Sequence, residues 1–316
     1  MRAPDFWQRR GLPALLLAPL GVLYGMSVAF KVRHVRPQDA GVPAICVGNL
    51  TAGGSGKTPI AIAVAEALVE RDQRPYFLTR GYGGSERGPA LAYRGHDAAR
   101  MGDEALLLAR AAPTVVARDR AAGAALAVEK GASVLVMDDG HQNFTLRKNL
   151  SLVVVDAQTG FGNGLTIPAG PLREPVAQGL ARADAVVLVG DGNPDLHGFS
   201  GPVLRARLVA DGAAFAGQQV FAFAGIGRPE KFVESLEESG AVVTGSCFFA
   251  DHHPYQPEEL DQLRMIAGDA LLVTTEKDFV RLTVAQREGL KVLKVAAVFD
   301  DPAALSRLLD SLPHAV

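Results

Sequence analysis

The chain has 316 residues, 48% of them hydrophobic and 21% charged, with a net charge of −2. That composition supports a folded core and excludes a disordered chain. The only two cysteines, Cys46 and Cys247, lie far apart in apolar strand-like contexts; they exclude a disulfide framework or zinc spacing and fit buried, inert thiols in a reducing compartment.

The charge is unevenly spread. Residues 1–36 carry six basic side chains (Arg2, Arg9, Arg10, Lys31, Arg33, Arg36) and one acid, Asp5, leaving the remainder at a net −7. A basic start on an acidic body points to an anionic surface. A membrane is the expected partner, and a nucleic acid is not. Between the basic clusters lies GLPALLLAPLGVLYGMSVAF, residues 11–30, without a charge. As a helix it would be about 30 Å long, the thickness of a bilayer's hydrocarbon core. Four readings compete: a secretory signal ending at Ser27-Val28-Ala29, a spanning helix interrupted by Pro13, Pro19 and three glycines, a helix embedded in one leaflet, and a buried core helix. The signal would export a phosphate loop to where ATP is absent. The one-leaflet helix suits the flanks best, with Trp7 and Tyr24 at the headgroups and Arg/Lys on phosphates.

After residue 36, short apolar runs alternate with helical patterns. Buried strands are expected at 43–49, 75–79, 114–117, 133–137, 151–156 and 185–190. They are β-branched and nearly uninterrupted, as parallel strands covered on both faces must be. Stretches such as TPIAIAVAEALVERD and RDRAAGAALAVEKG separate them as helices. This βαβ alternation predicts a doubly wound, mainly parallel α/β domain of the P-loop NTPase kind over 37–201. Over 202–219 the pattern weakens, and two short strands around Asp211-Gly212 predict a hairpin-like hinge. Alternation restarts at 220–225, 241–249, 270–275 and 290–297, with a last helix near 302–312. Residues 220–316 therefore read as a second, smaller α/β domain, and 1–36 as a membrane-associated helix.

The densest chemical signal is VGNLTAGGSGKTP, residues 47–59: a strand, a Gly-rich loop, then Gly56-Lys57-Thr58 opening a helix. Consecutive backbone N–H groups of Thr51, Ala52, Gly53, Gly54, Ser55 and Gly56 can face a phosphate, and the helix N-terminus adds positive charge. Lys57 would reach the β/γ-phosphates, and the Thr58 hydroxyl would bind Mg²⁺. The usual pattern begins with Gly where this chain has Thr51. Partner-dependent ATPases carry an additional Lys at the start of this loop, where this chain has Ala52. The bland alternative is a glycine turn capping a helix.

A nucleotide site also needs a carboxylate at a strand end. SVLVMDDGHQ supplies Asp138 and Asp139, two adjacent acids that are costly at the end of a buried strand unless a cation or hydrogen-bond donors meet them. The alternative is a turn with Asp139-Gly140 at its corner. Asp156, ending the next strand, reads as structural. Loop and acids together specify a phosphate-loop nucleotide enzyme without naming its acceptor.

Four further segments are TRGYGG (79–84), GDEALLLA (102–109), GNGLTIPAGPLREP (162–175) and DHHPY (251–255). With GNLTAGGSGKTP, MDDGHQN and TTEKD (274–278), they closely resemble the tetraacyldisaccharide 4′-kinase family of the lipid A pathway. The resemblance covers nearly the whole chain. It implies transfer of the ATP γ-phosphate, with Mg²⁺, to the 4′-hydroxyl of a tetraacyldisaccharide 1-phosphate at the cytoplasmic face of a Gram-negative inner membrane. It also implies that Asp103 is the catalytic base, that His252 orients it across an interdomain cleft, and that Glu104 assists the metal.

Alternatives stand beside these roles. Asp103 also suits the first turn of a helix. A His-His pair in a loop is as often on the surface or on a metal as catalytic, but the remaining histidines offer no further metal spacing. Arg173 is a candidate for a phosphate, or a partner for Glu174. The TEKD segment either touches the nucleotide base or caps a helix with Thr275. Tyr82 is a stacking surface near the acceptor. A monomer is expected. The rival class is a membrane-bound ATPase or GTPase switch or chaperone without a small-molecule acceptor; a non-enzymatic lipid-binding protein would leave the phosphate loop unexplained.

Overall fold

A computed structural model describes residues 4–93 and 95–313; Arg2 of the basic cluster and His314 lie outside the described residues. In chain order the elements are α1 (Leu12–His34), β1 (Ala44–Gly48), α2 (Lys57–Val69), β2 (Pro75–Thr79), β3 (Ala90–Ala92), α3 (Ala98–Met101), α4 (Asp103–Leu108), β4 (Thr114–Val116), α5 (Arg120–Glu129), β5 (Val134–Asp138), β6 (Leu150–Asp156), α6 (Val176–Leu180), β7 (Ala185–Val189) and β8 (Val203–Asp211). There follow β9 (Gln219–Ala224), α7 (Pro229–Glu238), β10 (Val242–Phe248), α8 (Pro257–Ala267), β11 (Leu271–Thr275), α9 (Glu276–Arg281), β12 (Lys291–Phe299) and α10 (Pro302–Asp310).

Among the described residues the strands form one sheet, ordered β10-β9-β11-β12-β8-β7-β6-β1-β5-β2-β4-β3. Pairing is parallel from β8 to β4 and from β12 to β10, with antiparallel joints only at β8/β12 and β3/β4. The expected α/β class and parallel core are borne out. Buried residues of β1 and β5 pack on Ile60, Ala61, Val64 and Leu68 of α2 on one face, and on α5 through Ala124 and Ala127 on the other. Covering both faces is what makes these strands apolar at every position. Cys46 is buried there and burial pushes its thiol up to about 11; Cys247, on edge strand β10, is only partly buried, contrary to expectation.

The expected hairpin at 202–219 does not form. Residues 203–211 are one strand, followed by a single 3₁₀ turn, Ala213–Phe215. Val203–Ala206 pair in parallel with β7, and Ala206–Asp211 pair antiparallel with β12. The ribbon joining the two lobes therefore takes its second strand from the far end of the chain. Sequence spacing cannot show this, because a strand's partner need not be its neighbour. The boundary at 220 needs a second correction. Phe299, Leu305 and Leu309 lie in the first lobe's core with Ile60 and Val64, so the chain returns to the first lobe through β12 and α10.

α1 is one continuous helix despite Pro19, with Pro13 in its first turn. Its buried residues are Ala14, Gly21, Gly25 and Val28. Glycine is required at 21, where a Cβ would stand 2.7 Å from the Thr166 carbonyl oxygen; small residues allow this close approach. The other faces are bare, with Leu12 and Leu16 each more than 70% exposed. The buried-core reading of this helix therefore fails.

The second lobe has its own core, in which Phe223 is fully buried against Tyr255, Leu260 and Leu263. Phe223→Ala is expected to lower stability by about 3–5 kcal/mol, read as a fall in urea midpoint without a change in slope.

Candidate active site

Parallel register builds the first half of the site. β1 and β5 align so that Val47 lies beside Asp138. The loop leaving β1 and the acid ending β5 therefore emerge side by side. Asn49, fully buried, donates from Nδ2 to Ser55 Oγ at 3.0 Å and bridges the base of the loop. Gly56 caps α2 at φ +81°, a left-handed conformation that suits glycine. A Cβ at Gly53 or Gly54 would meet nothing within 4 Å, so the loop faces open space. Thr51 replaces the usual glycine without strain because it makes an extended antiparallel bridge to Leu172, while the Ala52 N–H donates to the Pro171 carbonyl at 2.7 Å.

Lys57 and Thr58 open α2. Thr58 Oγ1 donates to Asp138 Oδ2 at 3.3 Å, and Lys57 Nζ lies 3.9 Å from Asp139 Oδ1. The two acids differ sharply. Asp138 is buried and its Oδ1 has no hydrogen-bond partner. Burial, then Glu104 and Asp139, push its carboxyl up to about 7 against the pull of Lys57. A buried carboxylate oxygen left bare beside a threonine hydroxyl fits a cation. Asp139 is already paired: Arg173 Nη1 donates to both of its oxygens at 2.7 and 2.8 Å. Lys57 and Arg173 hold its carboxyl below the ordinary range despite burial. Its φ of +54° is uncommon for a non-glycine residue and marks a constrained turn.

Arg173 does not pair with Glu174, as one reading had it. Glu174 is fully buried and takes Arg182 at 2.6 Å, while Arg173 is engaged by Asp139. Gln142, unmarked in the sequence, donates to the Asn49 carbonyl and to Glu174 and accepts from Arg173. His141 is a neutral core histidine: burial pushes it down to about 3, and its Nε2 bonds the Gly179 carbonyl.

The loop 162–175 reaches from this site to the N-terminus. Arg173 N–H donates to the Leu50 carbonyl. At the other end, Asn163 Nδ2 donates to the Phe6 carbonyl, and Trp7 Nε1 donates to the Pro168 carbonyl. Thr166 Oγ1 donates to the Gly21 carbonyl at 2.6 Å. Trp7 thus spends its N–H on protein rather than on a headgroup.

The second half of the site crosses between lobes. Asp103, 4% exposed, starts α4 after Gly102, whose φ is +85° and whose Cβ would lie 2.5 Å from the Tyr82 carbonyl. His252 Nδ1 donates to Asp103 Oδ2 at 2.9 Å, and its own φ is +61°. The exposed Tyr82 ring lies 6.0 Å from the His252 ring. His253 is turned away onto Glu259, with 2.9 Å between Nε2 and Oε2. Arg281 was not singled out in the sequence, yet its Nε and Nη2 donate to Asp103 Oδ2 at 3.0 and 2.5 Å. Lys277, one turn earlier, lies 3.4 Å from Glu104 Oε1. The available signal was Lys277 and Arg281 four apart on a short helix, matching the adjacent acids of GDE. Thr275 caps that helix, accepting from Asp278 N–H at 3.1 Å. Asp156 likewise caps its own turn and accepts from Arg228 across the lobes at 3.0 Å.

A strand-loop-helix with Lys-Thr at its mouth, a paired acid at the next strand end and a carboxylate-histidine pair facing it define a phosphate-loop phosphotransferase. The chain belongs to the LpxK family, described as tetraacyldisaccharide-1-P 4'-kinase, which matches residues 13–313. It is 51% identical over 323 residues to the tetraacyldisaccharide 4'-kinase of Paramagnetospirillum magneticum, covering 99% of each chain. The enzyme of the same name from Rhodospirillum rubrum is 48% identical over 324 residues, covering 99% of this chain and 98% of that one. The crystal structure of LpxK from Aquifex aeolicus in complex with ATP superposes with a TM-score of 0.75 at 26% identity, covering 94% of this chain and 98% of that one. The family resemblance carried by the sequence motifs is borne out.

The Asp103–His252 pair has a definite pH signature. Burial would raise the Asp103 carboxyl, but His252 and Arg281 outweigh it and hold it well below 3.8. The bond to Asp103 raises His252 above 6.5. The stabilisation from Asp103 is whole above its unfolded value and is lost as pH falls through the depressed one. That from His252 is whole below its unfolded value and is lost as pH rises through the raised one. In Asp103→Asn, the His252 titration midpoint is expected to fall toward 6.5, followed by NMR of its ring protons; an unmoved midpoint would remove Asp103 as the cause.

Proposed function

We propose that this chain transfers the γ-phosphoryl group of ATP to the 4′-hydroxyl of a tetraacyldisaccharide 1-phosphate, releasing ADP and a 4′-phosphorylated lipid of the lipid A pathway. The observation that carries this reading is the meeting of two half-sites. α4, which opens with Asp103 and Glu104, packs against α2, which opens with Lys57 and Thr58, and in this reading the base candidate and the phosphate loop share one cleft.

In this reading the loop from Thr51 to Thr58 holds the triphosphate, and Lys57 neutralises the β/γ-phosphates. Arg173 exchanges Asp139 for the γ-phosphate. Thr58 and Asp138, with Asp139 or Glu104 in support, would hold Mg²⁺, which would supply charge neutralisation to the triphosphate. The acceptor oxygen forms its bond to phosphorus as the bond to the β–γ bridging oxygen breaks, and its proton passes to Asp103. A carboxylate held this acidic is a weak base. That suffices for a loose transition state, in which the hydroxyl loses its proton late. His252 orients Asp103, and Tyr82 offers the acceptor a ring to rest on. The lobes are proposed to close by flexing the β8–β12 ribbon, excluding water that would otherwise hydrolyse ATP.

The membrane surface at the cytoplasmic face of the inner membrane is part of the same proposal, with the protein acting as a monomer. The bare apolar sides of α1 and the basic last turn with Lys31 and Arg33 support it. An acylated, anionic acceptor lies in such a surface.

Purified protein with labelled ATP, Mg²⁺ and the tetra-acyl disaccharide 1-phosphate in detergent should give labelled lipid. ATP turnover independent of that acceptor would favour a switch ATPase instead. Lys57→Ala and Asp103→Ala should each lower turnover by roughly 10²–10⁴-fold, and wild-type activity in Asp103→Ala would remove its role as base. Leu16→Asp with Leu23→Asp should weaken co-sedimentation with anionic vesicles, at about 2.5–3.5 kcal/mol per buried charge. Unchanged sedimentation would sink the α1 contact.

A further inference from the structure

We propose that Arg281 is a positioning residue for the phosphoryl transfer: it sets the plane of the Asp103 carboxylate, so that one oxygen is held by the second lobe and the other is presented to the acceptor hydroxyl. The inference rests on Asp103 being the base.

Asp103 uses its two oxygens unequally. Oδ2 receives His252 Nδ1 at 2.9 Å and Arg281 Nε and Nη2 at 3.0 and 2.5 Å. Oδ1 accepts the Glu104 backbone N–H at 2.9 Å. A carboxylate oxygen accepts at two lone pairs, so Oδ1 keeps one for a hydroxyl while Oδ2 is saturated. The His252 side chain is 39% exposed and makes a single bond to the carboxylate, a weaker constraint on its plane than a buried two-donor fork. The guanidinium of Arg281 is planar, 6% exposed, and brings two donors to one oxygen. Together the three donors leave the carboxylate one orientation.

Arg281 is itself braced from behind. Its Nη1 donates to Asp278 Oδ1 and to the Gly225 carbonyl, each at 2.8 Å. Asp278, fully buried, also accepts from Tyr255 Oη at 2.8 Å, Gly225 N–H at 3.0 Å and Thr275 Oγ1 at 2.6 Å. Every member of this brace belongs to the second lobe, whereas Asp103 belongs to α4 of the first. Lys277, on the same helix as Arg281, engages Glu104 beside it. The base is therefore in its working orientation only while the second lobe is seated against the first.

The test compares Arg281→Lys, Tyr255→Phe and Asp103→Asn in the acceptor kinase assay, with thermal unfolding as a check on folding. Arg281→Lys keeps the buried charge and loses the planar fork. Its kcat is expected to fall about 10–100-fold with the KM values for ATP and acceptor within about twofold of wild type. Tyr255→Phe removes one bond of the brace and no charge; its kcat is expected to fall a few-fold, again at unchanged KM. Wild-type kcat in Arg281→Lys, or a loss confined to either KM, overturns the inference. If Arg281→Lys proves unfolded, Tyr255→Phe decides, and wild-type kcat there overturns it. Full activity in Asp103→Asn would instead remove the base reading beneath it. An inactive Asp103→Asn beside an unaffected Arg281→Lys removes only the role given to Arg281.

Discussion

β8 begins beside β7 and ends beside β12, and that last pairing is antiparallel. The parallel strands of the second lobe therefore run opposite to those of the first, and the segments leaving their carboxyl ends, with His252 and Arg281, meet Asp103 of the first lobe. In open α/β sheets, ligands bind beyond the carboxyl ends of strands, where loops and helix N-termini converge. Here two such ends share one cleft. The first supplies the phosphate loop after β1 and the acids after β5. The second supplies His252 after β10 and Arg281 on the helix after β11. A single antiparallel joint thus decides that His252 and Arg281 of the second lobe meet Asp103 of the first.

The cleft concentrates charges that a folded protein otherwise avoids burying. Asp138, Asp103 and Asp278 are all buried, each with a different solution. Asp278 is saturated by its own lobe. Asp103 is neutralised across the cleft, so its environment depends on how the lobes sit. Asp138 keeps one oxygen without a partner, and burial with the nearby Glu104 pushes its carboxyl up. Removing one partner of a buried charge costs more than the pair contributes, so such sites couple stability to occupancy. Left-handed backbone at Asp139 and His252 adds local strain at the same place.

The loop 162–175 ties this cleft to the apolar helix α1. One end pairs with the phosphate loop through Leu172 and carries Arg173; the other grips Trp7, Arg10 and Gly21. The helix that bears the apolar surface and the arginine facing the phosphate loop are thus fixed to a single segment. That segment holds α1 and Arg173 in a constant relation.

The sequence by itself determined the parallel core, the phosphate loop, the paired acids and the apolar N-terminal helix. Each of these is a local property: periodicity sets strands and helices, and glycine with Lys-Thr sets the loop. It also named Asp103 and His252, though only through resemblance to a family. What only the tertiary structure decided is who meets whom. The partner of β8 came from nearly a hundred residues away, Glu174 took Arg182 instead of its neighbour Arg173, and Arg281 emerged beside Asp103. Such meetings depend on long-range strand order and on the direction a side chain leaves its backbone, and neither leaves a periodic trace along the chain.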